Sequence, residues 1–161
     1  ITDVALKATQ AAPAIMVVER AFGLLEIHHH DQGQVRDAGQ AVLDYLGLKE
    51  NDRVQPRVVS DQIIRAVEPY HAQVINKSRY GDMLIAGESL FILESEPAGY
   101  IAFAANEAMK AARVKLIDAS LFGAYGRLYL SGPEADIDAA REAAIRALST
   151  IKGRSEPGAK G

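Results

Sequence analysis

Read from end to end, the chain passes twice through one order of elements: helix, strand, a loop bearing Phe-Gly, strand, helix. Duplication constrains the fold more than any single motif, because each copy must make the same kind of unit. In the first pass Val4, Ala5, Ala8 and Ala12 fall at helical spacing and Pro13 ends the pattern. Ala14–Val18 reads as a β-branched strand, Glu19–Gly23 as the loop and Leu24–His28 as the return strand. A helix follows through Val35, Ala38, Ala41, Val42, Tyr45 and Leu46, closed by Gly47. In the second pass Pro97-Ala-Gly opens a helix whose Ala98, Ile101, Ala102, Ala105, Ala108, Met109 and Ala112 share a face. Then come a strand at Val114–Asp118, the loop Ser120–Gly126, a strand at Arg127–Leu130 and a helix carrying Ile137, Ala140, Ala144, Leu148 and Ile151.

Between the two passes the pattern is less regular. Lys49–Arg53 is a polar connector and Val54–Val59 an extended piece. Ser60 or Asp61 is placed to cap a helix carrying Ile63, Ile64 and Val67, with further helix past Pro69. Tyr80-Gly-Asp is a turn, and Glu88–Glu94 a strand entering a buried sheet.

With 161 residues the chain holds one compact domain or two small repeats, which agrees with the duplication. A net charge of −3 supplies no positive field for phosphates, so a nucleic-acid partner is not expected. The absence of Cys removes disulfides, thiolate metal sites and Cys nucleophiles together. No apolar run approaches the ~18–20 residues that span a bilayer, and no basic start with an apolar core opens the chain. The expectation is a soluble, cytoplasmic protein with no membrane contact.

Several identities join the two passes. Asp3-Val-Ala-Leu-Lys7-Ala matches Asn106-Glu-Ala-Met-Lys110-Ala, Phe22-Gly23 matches Phe122-Gly123, and Ala38, Ala41 and Leu46 match Ala140, Ala143 and Leu148. With Ser89-Leu-Phe-Ile-Leu-Glu94, Pro97-Ala-Gly-Tyr, Ala104-Ala-Asn-Glu-Ala-Met-Lys110-Ala-Ala and Leu128-Tyr-Leu-Ser-Gly132, the sequence resembles the bacterial microcompartment shell proteins in their tandem form. A strand and helix at Val54–Tyr70 ahead of the second copy, and a chain that ends on a helix, resemble the circularly permuted subclass. The chain departs from the pattern in that the first copy lacks its first strand and helix start, and Asn106 stands where an Asp is usual.

The resemblance implies an α/β (α+β) fold of two ferredoxin-like βαβ repeats: residues 1–50 the first, N-terminally incomplete, 51–152 the second, and 153–161 a flexible tail. It implies a homotrimer that imitates a hexamer, because three chains of two wedges close a ring by head-to-tail contacts. Such a tile builds a shell beside other shell proteins and passes small polar metabolites through a central, gated pore. No cofactor and no enzyme activity are implied. Pore-lining positions carried over from the family are Arg20, Ala21, Phe22 and Gly23 in one loop, and Phe122, Gly123, Ala124, Tyr125 and Gly126 in the other. Lys7, Lys110 and Arg57 fall at tile-edge positions; the ordinary reading of each lysine is a solvated cation complementing a helix C-terminus.

Other features point elsewhere and carry less. His28-His29-His30 alternates along a strand, so at most two imidazoles share a face, and no metal site is expected. Glu94 and Glu96 are paired carboxylates with no nucleophile or His base nearby, so acid–base catalysis lacks support. The alternative to a shell tile is a trimeric regulatory α/β protein that senses a small molecule between subunits.

Overall fold

The repeated helix–strand–strand–helix module is present in both halves of the computed structural model, which describes residues 1–19 and 22–155. The first copy comprises α1 (Thr2–Ala8), β1 (Ala12–Val18), β2 (Gly23–His28) and α2 (Gln32–Leu46). The second comprises α4 (Tyr100–Ala111), β5 (Lys115–Ser120), β6 (Gly126–Gly132) and α5 (Glu134–Thr150). Ahead of it lie β3 (Arg57–Ile64), α3 (Pro69–Asn76) and β4 (Ser89–Glu96). The chain divides into two compact units, residues 1–55 with 152–161, and residues 56–151.

In the second unit an antiparallel sheet of order β3-β4-β6-β5 carries α4 and α5 on one face and α3 over part of the other. Alternation along the strands sorts the side chains. Phe91 and Leu93 of β4 and Leu128 and Leu130 of β6 turn to one face, where they pack with Ile101, Ala104 and Ala108 of α4 and Ile137, Ala140, Ala144 and Leu148 of α5. The Ala positions shared by the two helices let them approach closely over the larger sheet residues. Leu90, Ile117 and the partly buried Ile92 and Tyr129 turn to the opposite face, against Ala72 and Ile75 of α3 together with Val67 and Leu84.

The segment 57–64 is a strand, not the capped helix expected from Ser60 or Asp61. Val58, Val59, Ile63 and Ile64 are β-branched and find a partner in β4, where Ile63 lies opposite Phe91 and Ile64 opposite Leu90. A register shift between Val58 and Ser60 accommodates the polar pair, and Asp61 serves Arg141 of α5 at 2.7 Å instead of capping a helix. The connector after α3 guards the free edge of β5. The Gly81 and Asp82 N–H groups donate to the Ile117 and Leu116 carbonyls at 2.9 and 2.8 Å.

In the first unit β1 and β2 form a two-stranded antiparallel ribbon, with Val18 opposite Gly23 and Ala12 opposite His28. Asp31 caps α2 by accepting from the Gly33 N–H at 2.8 Å, and Gly47 ends it at φ 66°, a left-handed conformation that suits glycine. The core here is small: Ala5, Ala11 and Ala38, with Ile27 and Val42 packed against them. Residues 153 and 154, expected at the start of a frayed tail, instead pair with the 53–55 segment. The Arg154 N–H donates to the Arg53 carbonyl at 2.9 Å, and the Gln55 N–H to the Arg154 carbonyl at 3.0 Å. The remainder of that tail, from 156 on, lies outside the described residues. No helix among the described residues is long and apolar enough to cross a membrane.

Candidate pore loops and edge lysines

Each copy of the module turns between its two strands through a short loop, and both loops carry exposed aromatic side chains. In the first unit the Glu19 N–H donates to the Phe22 carbonyl at 2.9 Å, closing the turn beyond the Val18–Gly23 pair. Val18 is 86% exposed and Phe22 47% exposed. Arg20 and Ala21, expected to line a pore with them, lie outside the described residues. In the second unit the loop runs from the Ser120–Arg127 pair through Phe122 and Tyr125, each about half exposed. Gly123 holds φ at 95°, a backbone conformation that strains any residue with a Cβ, and Ala124 is exposed. Hairpin tips are ordinarily polar, and aromatic rings left half exposed there offer apolar surface to a partner. Neither Phe22 nor Phe122 fills the core of its own unit.

Gly126 belongs elsewhere than in the exposed loop. It is the buried first residue of β6, and a Cβ there would overlap the Ala98 carbonyl oxygen. Its role is to let the entry to α4 lie directly on the strand. Gly23 occupies the corresponding first position of β2, yet it stays exposed, with its nearest obstacle the Val17 carbonyl oxygen at 3.2 Å from an added Cβ.

The two edge lysines also correspond. Lys7, in the last turn of α1, pairs with Asp3 at 2.9 Å and is 77% exposed. Lys110, in the last turn of α4, pairs with Glu107 at 2.8 Å and is 63% exposed. The hydrogen bond from Lys110 holds the Glu107 carboxyl below the usual range. Both ammonium groups stand exposed at helix C-termini with an acidic residue one turn earlier. Arg57 opens β3 and donates to Glu96 at 2.5 Å.

Glu94 and Glu96, weighed as an acid–base pair, are each engaged by an arginine on a neighbouring strand. Arg127 donates twice to one oxygen of Glu94, at 2.8 and 2.5 Å, and this hydrogen bonding raises the guanidinium's pKa further. The His run is divided by the end of β2: His28 is its last residue, and His29 Nδ1 accepts from the Asp31 N–H at 3.0 Å. No group of three or more His, Cys, Asp or Glu suited to a metal ion occurs among the described residues. Sequence reasoning passed over Val18, which makes the first loop as apolar as the second; the β-branched pair Val17-Val18 running into the turn was the available signal.

Comparison with known proteins places these features in a family. Residues 1–52 match the model of the CsoS1D N-terminal domain. Over 156 residues the chain is 51% identical to the carboxysome shell protein CcmP of Synechococcus elongatus, covering 97% of this chain and 73% of that protein. It is 49% identical to the carboxysome shell protein CsoS1D of Hydrogenovibrio crunogenus, covering 96% and 76%. Among solved structures, the fused permuted hexameric shell protein of the RMM microcompartment superposes with a TM-score of 0.91 at 47% identity, over 96% of this chain and 76% of that one. The double ringed trimeric shell protein of the same microcompartment gives 0.93 at 38% identity, over 96% and 77%.

Proposed function

Because the chain belongs to the tandem-domain shell proteins of bacterial microcompartments, we propose that three copies close into a pseudo-hexameric tile whose two kinds of aromatic loop surround a common axis. The protein is a structural component of a microcompartment shell, and the tile is the form in which it serves there. Two similar modules per chain supply six wedges from three subunits, and a head-to-tail contact between unlike modules must close after three chains. The observation that carries this reading is the pair of half-exposed rings, Phe22 and Phe122, at corresponding hairpin tips. A ring of loops around an axis supplies the cover that an isolated chain lacks, and the aromatic tips narrow the passage left to small polar metabolites. Val18, Gly23, Gly123, Ala124 and Tyr125 line the same passage in this reading, as do Arg20 and Ala21.

At the rim, Lys7 and Lys110 lie along a neighbouring tile with their stems packed and their ammonium groups reaching backbone carbonyls. Arg57, paired with Glu96 at the start of β3, is a further edge position in this reading. The role is construction and passage, without catalysis; the regulatory trimer has no comparable support, because the similar proteins are named as shell components.

Light scattering tests the assembly directly: the expected solution mass is three chains or a multiple of three, and a monomer at micromolar concentration overturns the tile. Lys110→Ala tests the edge. The expected outcome is an intact trimer that no longer forms extended sheets by electron microscopy. Sheets of unchanged extent remove Lys110 from the edge, while leaving the ring itself in place.

A further inference from the structure

The sheet of the second unit is only partly covered by α3. Ala72 and Ile75 pack on Leu90, Ile117 and Tyr129, and beyond them the same face of the sheet turns polar. Between the end of α3 and this polar floor lies a cavity of about 300 Å³, lined by Ile75, Arg79, Asp118, Ser120, Tyr125 and Arg127 among others. Its size suits a molecule of a few carbon atoms, at the small end of ligand pockets.

The charges around it are fixed and unequal in their compensation. Arg79 Nε–H donates to Asn76 Oδ1 at 3.1 Å and Nη1–H to the Gly81 carbonyl at 3.2 Å. Asn76 is itself locked to Leu84 by two bonds, Nδ2–H to the carbonyl at 2.8 Å and the Leu84 N–H to Oδ1 at 3.0 Å. The guanidinium is therefore held in place by neutral acceptors, its charge unmatched by any carboxylate among the described residues. Arg127, by contrast, is already paired with the Glu94 carboxylate. Asp118 accepts only from the adjacent Ala119 N–H, at 2.9 Å, and pairs with no cation among the described residues.

The cavity thus presents one preorganised cation and one carboxylate unpaired with any cation among the described residues, with Ser120, Tyr125 and Tyr129 also in its lining. A phosphate dianion would meet Asp118 and a metal ion would meet Arg79. A molecule with a carboxylate for the arginine fork and a hydrogen-bond donor close beside it satisfies both. We infer that this cavity binds a small carboxylate bearing a hydroxyl or ammonium group on the adjacent carbon, with its carboxylate on Arg79 and its donor on Asp118. The inference rests on the second unit's own residues and does not depend on the tile.

Isothermal titration of the full chain with L-serine, D-glycerate and propionate tests it, because propionate keeps the carboxylate and lacks the donor. Propionate is expected to bind at least about tenfold more weakly than the better of the other two, and the order of serine and glycerate identifies the donor as ammonium or hydroxyl. Arg79→Gln is expected to remove measurable binding of all three. Asp118→Asn, which keeps an oxygen to accept from the next residue's amide and removes only the charge, is expected to erase most of the gap over propionate while the fold is retained. Absence of binding by both serine and glycerate overturns the inference. So does propionate binding as tightly as either, or an Asp118→Asn protein with an unaltered preference; should Arg79→Gln fail to fold, the aspartate variant decides alone.

Discussion

The two units share a module and differ in what surrounds it. In residues 56–151, β6 is flanked by β4 and β5, and side chains of both sheet faces are buried, so that Phe91, Leu93, Leu128 and Leu130 have no exposed surface. In residues 1–55 the corresponding strands form a ribbon on which Ile15, Met16 and Val18 are 41%, 63% and 86% exposed. A two-stranded ribbon is marginal in water by itself, and a few alanines beneath it contribute little. The module is therefore a folding pattern that acquires its stability from what packs on it: β3, β4 and α3 supply that cover in residues 56–151, and among the described residues the first unit has less of it.

The glycines at the head of the return strands offer the sharpest way to break this comparison. Adding a methyl at Gly126 drives it into the backbone of the α4 entry, which cannot retreat without losing the Ile101 and Ala104 packing. Gly126→Ala is expected to lower the unfolding free energy in urea by about 3 kcal/mol, the upper range of overpacking in a core. Gly23→Ala meets only the Val17 carbonyl oxygen at 3.2 Å and is expected to cost under about 1 kcal/mol. Equal losses at the two sites would mean that the first unit is packed as tightly as the second.

Ion pairing distinguishes the units with a smaller effect. Glu88 receives Lys115 Nζ and the buried Ser131 hydroxyl, each at 2.6 Å. Burial resists its charge, but the hydrogen bonds from Lys115 and Ser131 outweigh it and hold the carboxyl below the usual range. A folded pKa below the unfolded one gives stability that is fully present above the unfolded value and is lost as pH falls through the folded value. Glu88→Gln is thus expected to cost about 1–2 kcal/mol at neutral pH, and its difference from the parent to shrink below pH ~4. A deficit independent of pH would transfer the effect from charge to packing. The pairs of the first unit, Asp3–Lys7 and Glu50–Arg53, are exposed, and their removal is expected to be nearly neutral.

The modules were legible because their signals are local. Ala and Ile at helical spacing announce α4, and Asp31 and Gly47 bracket α2. β3 was not legible, because Ser60 and Asp61 imitate a helix cap and Ile63, Ile64 and Val67 imitate a helix face; the deciding partner, β4, lies about thirty residues further along. The Phe-Gly loops announced hairpins, but nothing nearby in sequence distinguished Gly126, whose neighbour is the Ala98 carbonyl across the fold. The same applies to charge. Glu94 and Glu96 look like partners in the sequence, and only strand pairing assigns them to Arg127 and Arg57. Arg79 gave no signal at all, since its brace through Asn76 depends on where the Leu84 backbone passes.

The smallest expected effect concerns the helices that close the two modules. α5 meets its sheet with Ile137, Ala140, Ala144 and Leu148, whereas α2 carries an exposed glycine, Gly39, beside the buried Ala38. A Cβ at Gly39 meets nothing within 4 Å, and no positive φ requires glycine there. Gly39→Ala is accordingly expected to stabilise the chain by about 0.5–1 kcal/mol, through helix propensity and a less flexible unfolded state. The gain should be visible as a raised Tm with the oligomer mass unchanged. If the variant instead loses stability or dissociates, open space around Gly39 in the single chain is filled on assembly, and this face of α2 is one that a neighbouring subunit approaches too closely for a methyl group. That outcome would give the weakly packed first unit cover at a specific place, and would add α2 to the neighbour contacts proposed for the half-exposed rings of the loops.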